Sequence, residues 1–226
     1  GHRNAHVVSA IKHQLDSLTH TCFQVTPYES YITLAERLNA LLPGDFAKKS
    51  LFFSAGGEAV ENAIKIARYY TKRPALITFT NGYHGRSYMG MALSARMVPF
   101  KQGFGPFPSD IYRLPFPDEF HGISLDDTKC AFETLFRSDC PPDQIAAIFF
   151  EPVQGEGGYN IATPEFVAYL RELCDAHGIV LVADEIQSGM GRTGKMFAME
   201  HFGIHPDLSC VGKSIGGGLP ISGVVG

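Results

Sequence analysis

The chain has 226 residues, enough for one large domain with its own core or for two small ones. Hydrophobic residues make up 45% and charged residues 19%, an ordinary balance for a globular protein. A formal net charge of −4 gives no reason to expect nucleic acid or an anionic membrane as partner, and no apolar run reaches the roughly 20 residues that span a bilayer.

In chain order, HVVSAIKHQLDSL (6–18) and SYITLAERLNALL (30–42) carry apolar residues at three- and four-residue intervals, the pattern of half-buried helices. SLFFS (50–54) reads as a strand, GEAVENAIKIARYY (57–70) as a helix and ALITFT (75–80) as a second strand. The stretch 95–125 is rich in Pro, Gly and Phe and reads as a long surface or interface loop. IAAIFFE (145–151) and GIVLVAD (178–184) are strands on either side of a helix, FVAYLRELCDAHG (166–178). KMFAMEHFG (195–203) reads as a short helix leading to the strand LSCV (208–211), with the strand-like ISGVV closing the chain.

β-Branched runs alternating with amphipathic helices predict an α/β fold whose sheet is covered on both faces. Only residues 212–220 separate LSCV from ISGVV. A parallel crossover needs a dozen residues or more, so these two strands are expected to be antiparallel. The sheet is then mostly parallel and mixed, with one antiparallel strand. The five cysteines (22, 130, 140, 174, 210) are scattered, without a CxxC pair, as expected for reduced thiols in a cytoplasmic protein. The opening GHRNAHVV lacks a methionine and a signal peptide, and the end falls in a strand-like run. These ends suggest a fragment.

Ligands of such sheets gather beyond the carboxyl ends of the strands. SAGGEAV (54–60) follows a strand and opens a helix, so its small residues and free N–H groups suit a phosphate; a plain tight turn fits as well. EPVQGEGG (151–158) places Glu151 at a strand end and Glu156 in a glycine loop, where solvated carboxylates are the simplest expectation. Asp184 follows VLVA directly, and a carboxylate there needs a partner, a helix N-terminus or Arg192, or else a proton. Lys213 ends the next strand; if the two strands are parallel, Asp184 and Lys213 emerge at one sheet edge.

Two motifs mislead. GMGRTG (189–194) spells a dinucleotide fingerprint but begins well past the strand end. GKS (212–214) echoes a Walker A tail, yet position 207 is aspartate where that motif needs glycine. His201 and His205 flank a helix end near Pro206 without a third ligand in view, so no metal site is expected. A strand-end lysine, an aspartate and a phosphate turn suit pyridoxal phosphate. A lysine shielded from water can form a Schiff base with its aldehyde, and an acid keeps the ring nitrogen protonated.

EPVQGEGG, VADEIQSGMGRTG and GKSIGGGLPISGVVG, in this order and spacing, resemble the class III (ω-amino acid) aminotransferases of PLP fold type I, essentially end to end. THTCFQVTPYESYITLAERLNALLPGDFAKK and GYHGRS are similar specifically to the 4-aminobutyrate aminotransferases. The resemblance implies that residues 1–226 form the PLP-binding large domain, incomplete and without its C-terminal small domain. The activity it implies is transamination of 4-aminobutyrate with 2-oxoglutarate, giving succinate semialdehyde and glutamate. The alternatives are 5-aminovalerate or ornithine as donor, or an inactive truncated chain.

It further implies that Lys213 holds pyridoxal 5'-phosphate covalently and then moves the proton, and that Asp184 pairs with the ring nitrogen. Gln187 would bond the ring hydroxyl, Ile186 and Tyr83 would cover its two faces, and Gly56 and Gly57 would give N–H groups to the phosphate. Arg86 would take the distal carboxylate of the substrate, and Glu156 would pair with an arginine outside this sequence. Blander roles exist for Tyr83 and Ile186 in the core and for Arg86 at the surface. A Gly-Ser pair is common in the family where this chain has Gly56 and Gly57, so one hydroxyl contact is expected to be missing. The family also implies a homodimer or a dimer of dimers, and a C-terminal domain supplying an arginine and a threonine. A chain with these bounds alone is not expected to turn over.

Overall fold

A computed structural model describes residues 2–226. Helices α1 (Ala5–Ser17) and α2 (Glu29–Leu41) precede strand β1 (Ser50–Phe53), helix α3 (Gly56–Thr71) and strand β2 (Ala75–Phe79). Then come α4 (Tyr88–Leu93), β3 (Ile111–Leu114), α5 (Leu125–Ser138), β4 (Ile145–Phe150), the short ladder β5 (Val153–Gln154) with β6 (Asn160–Ile161), and α6 (Pro164–His177). Strands β7 (Val180–Asp184), β8 (Leu208–Val211) and β9 (Ser222–Val225) complete the chain. Seven strands form one sheet in the order β1-β9-β8-β7-β4-β2-β3.

The expected antiparallel pairing holds, with Cys210 opposite Val224 in β8 and β9. Strand β9 also runs antiparallel to β1, so β1 points the same way as β8. The pairs β7–β8, β4–β7, β2–β4 and β2–β3 are all parallel. β9 is therefore the one reversed strand of the seven.

Successive strand residues face opposite sides of the sheet, and two cores follow from that alternation. Ile77, Phe79, Ile148, Phe150 and Leu181 pack with Phe132 of α5 and with Phe166 and Leu170 of α6. Leu76, Ala147, Phe149, Val182, Cys210 and Val224 pack with Ala59, Val60, Ala63 and Ile64 of α3. A third cluster joins Leu38 of α2 to Val211, Val225 and Phe197, on the face opposite α3. Helices thus cover both faces, as expected of strands that are apolar on both sides.

Two sequence expectations need correction. The stretch 195–203 is no α-helix; only Ala198–His201 turn, as a 3-10 helix. The Glu185 carboxylate accepts the N–H groups of Ala198 and Met199 at 2.9 Å each, so tertiary contacts hold a turn too short to sustain itself. The long loop at 95–125 contains β3, a four-residue edge strand whose mixed burial leaves no continuous apolar run. Helix α5 adds an element beyond those the sequence pattern predicts, and Ser124 and Asp127 cap it reciprocally, Ser124 N–H donating to Asp127 at 2.8 Å and Asp127 N–H to Ser124 at 3.1 Å. Helix α1 forms where expected, with Val7, Val8 and Ile11 half-buried and none of its residues fully buried.

Candidate active site

Five strands of like direction end at one edge of the sheet, and the loops that leave them enclose a cavity of about 450 Å³. Its walls are 55–58 after β1, 83–87 after β2, Glu151 and Glu156 after β4, Asp184, Ile186 and Gln187 at the end of β7, and Lys213 after β8. Gly56, Gly57, Tyr83, Arg86, Glu156, Asp184, Ile186, Gln187 and Lys213 all line it, so the sequence candidates stand in one place. Cys210 lies opposite Asp184 in the parallel register, which brings Asp184 and Lys213 out side by side.

Asp184 is buried, and its partner is neither Arg192 nor a helix end. His84 Nδ1 lies 2.8 Å from Asp184 Oδ2, and Ile186 N–H donates to Oδ1 at 3.2 Å. Burial pulls the His84 pKa down, but the hydrogen bond and charge of Asp184, with Glu151 behind it, outweigh that and raise it above 6.5.

Glu151 corrects a second expectation, for it is 5% exposed and no solvated loop carboxylate. Tyr83 N–H donates to its Oε1 at 2.8 Å and Gly155 N–H to its Oε2 at 3.3 Å. Desolvation still dominates and pushes its pKa up to about 7. Glu156, five residues on, is exposed as expected.

Lys213 is exposed rather than shielded from water. It sits at φ 46°, a left-handed conformation that costs a non-glycine residue on the order of 1–3 kcal/mol and concentrates at functional sites. Its Nζ donates to Gln187 Oε1. Gln187 in turn lies against Gly155, where an added Cβ would overlap its carboxamide.

At the opposite wall Gly56 and Gly57 open α3, and their N–H groups have no carbonyl one turn back to bond. Glu58 takes the N–H groups of Ser54 and Ala55 at 2.9 and 2.8 Å, leaving the two glycine N–H groups for a ligand. A Cβ on Gly56 would stand 3.1 Å from Ile186 Cδ1, and one on Gly212 would stand 3.2 Å from Ile186 Cγ2. Ile186 is therefore wedged between two glycines. The sequence reading overlooked Ser87, whose hydroxyl lies 3.6 Å from where a Gly57 side chain would begin. It also overlooked His84, although the motif GYHGRS contains both.

A family model described as aminotransferase class-III matches residues 1–226. The chain belongs to the class-III aminotransferases. Over 226 residues it is 53% identical to the 5-aminovalerate aminotransferase of Pseudomonas putida and 51% identical to the 4-aminobutyrate aminotransferase of Escherichia coli. It covers 53% of each, about half the length of these relatives. A transaminase from the marine bacterium Virgibacillus superposes with a TM-score of 0.91 at 29% identity, covering all of this chain and 51% of that one. A PLP-bound amine transaminase from an uncultivated Pseudomonas species gives 0.87 at 31%, covering 100% and 54%.

The fold is that of this class-III family, PLP fold type I. The residues present fit pyridoxal 5'-phosphate: an amine for its aldehyde, a buried acid for its ring nitrogen, and a glycine cradle that side chains would fill. The Ser87 hydroxyl stands beside that cradle, where the Gly-Gly pair offers none.

Proposed function

We propose that this chain is the cofactor-binding portion of an ω-amino acid aminotransferase, exchanging the amino group of 4-aminobutyrate for the oxo group of 2-oxoglutarate. The observation that carries this reading is the convergence of Lys213, Asp184 and the Gly56-Gly57 turn on one cavity. The relatives at 53% and 51% identity act on 5-aminovalerate and 4-aminobutyrate, which supports 5-aminovalerate equally as donor. The two substrates differ by one methylene, worth only about 1–3 kcal/mol in an apolar pocket.

When bound, pyridoxal phosphate supplies an electron sink for the carbon that bears the amino group. Lys213 would hold it through Nζ and, once displaced by the substrate amine, carry the proton to and from that carbon. Asp184 would face the ring nitrogen, its carboxylate kept in place by the His84 ring and the Ile186 N–H. Tyr83 and Ile186 would cover the two ring faces, and Gln187 would take the ring hydroxyl. The N–H groups of Gly56 and Gly57, at the positive end of α3, would bind the phosphate. Ser87 would add a hydroxyl there. The planar fork of Arg86 suits the distal carboxylate of donor or acceptor, with the exposed Glu156 at the same rim. The homodimer implied by the resemblance belongs to this proposal and is checked by sedimentation of the full-length protein.

Full-length protein loaded with pyridoxal phosphate should show a visible absorption band that shifts on adding 4-aminobutyrate or 5-aminovalerate. Lys213→Ala should remove the band and lower turnover by at least a thousandfold. Turnover that survives in Lys213→Ala would refute the assignment.

A further inference from the structure

The lining of the cavity rests on a residue with no place in the roles above. The Glu151 carboxyl is buried where β4 ends, and its two oxygens take the N–H groups of two different loops, Tyr83 at 2.8 Å and Gly155 at 3.3 Å. The first loop carries Tyr83, His84 and Arg86. The second carries Glu156 and the bare glycine on which the Gln187 carboxamide lies. Gln187 Oε1 receives the Lys213 amine. A second tie runs parallel, Gln154 Nε2 donating to the Thr80 carbonyl at 2.8 Å.

We infer that Glu151 is a positioning residue: it clamps the Tyr83 loop to the Gly155 loop and, through Gly155, sets Gln187 against Lys213. The inference rests on the functional reading above for its catalytic consequence, while the clamp is made of this chain's own atoms alone. Its geometry explains why a carboxyl suits this place. Two N–H donors reach the two separate oxygens of one planar group, and a carboxyl group, ionised or not, keeps an acceptor for each. A carboxamide presents its own N–H₂ to one of them, leaving two donors face to face in a buried site.

Hydrogen exchange on the cofactor-free full-length protein tests the clamp directly, read in peptides covering 81–85 and 153–157. In the wild type the Tyr83 and Gly155 amides should exchange slowly. Glu151→Ala should speed both at least tenfold while the centres of β4 and β7 keep their protection. Should Glu151→Ala unfold the protein, Glu151→Gln keeps the volume and must still release one of the two amides. Wild-type protection at both amides in Glu151→Gln would overturn the inference.

In loaded protein, Glu151→Gln should lower kcat about tenfold or more with pyridoxal phosphate still bound and KM little changed. Gly155→Ala, which displaces Gln187 while position 151 stays a glutamate, should reproduce that split. An unchanged kcat in both variants would overturn the link to Lys213. Failure of the functional reading is separately visible, because it removes the visible band from the wild type and leaves the exchange result standing.

Discussion

Two neighbouring carboxylates after β4, Glu151 and Glu156, have opposite environments, and residue type cannot reveal which is buried. Composition and spacing singled out Lys213, Asp184 and the glycine turn because their chemistry is specific. His84 and the burial of Glu151 have no local signature, because their partners lie 100 and 68 residues away in sequence. Burial of Glu151 has a consequence for stability. Its pKa is raised from 4.5 to about 7, so between those values the native state keeps a proton that the unfolded chain has released. The stabilisation is complete below 4.5 and is lost as pH rises to about 7. His84, raised above 6.5, acts in the same sense at higher pH. The charged groups facing this pair are Asp184 and, toward His84, Arg113. In urea unfolding of the cofactor-free full-length protein, the contribution of Glu151 to stability should therefore fall from pH 4.5 to 7. Glu151→Gln should flatten that fall by an amount on the order of 1–3 kcal/mol. Identical pH slopes in the two proteins would show that Glu151 does not titrate there.

Elements were legible where a single period ran long enough. Helix α3 follows its apolar stripe closely, and the buried strands β4 and β7 are near-continuous apolar runs. Helix α6 starts two residues before its apolar stripe, where Thr163 caps it at 3.2 Å from the Phe166 N–H and Pro164 takes the first position. Edge strand β3 and the Ala198–His201 turn depend on contacts that no local pattern encodes. The start of α3 joins element to function, because its first residue is pressed on Ile186. Gly56→Ala places a methyl 3.1 Å from Ile186 Cδ1, tighter than ordinary contact, and must shift that side chain from its place in the cavity wall. Alanine is also a better helix former than glycine, by up to about 1 kcal/mol. The variant should therefore keep or slightly gain thermal stability while binding pyridoxal phosphate at least fivefold more weakly, as titration of the visible band would show. Equal affinity would mean that Ile186 can relax away from the ring.

At the scale of the molecule, the cavity draws its walls from five strand ends spread between residues 55 and 213. The sheet alone brings them together. The reversed β9, read from the shortness of 212–220, is what lets β1 lie beside it and still point with β8, so the glycine turn after β1 reaches the same edge as Lys213. A ligand in that cavity therefore spans most of the sheet, and its binding energy adds to the stability of the whole rather than of one loop. Mass action sets the size: pyridoxal phosphate at a hundred times its Kd should add about 2.7 kcal/mol to unfolding, with about 1.4 kcal/mol more for each further tenfold. Urea titrations of full-length Lys213→Ala, which keeps the noncovalent contacts and forms no covalent link, give the cleanest reading because binding there is a simple equilibrium. Their midpoint should climb with pyridoxal phosphate concentration as one cooperative transition. A transition that splits, with β1 and α3 melting apart from β7 and β8, would show that the strand ends are not joined through the ligand.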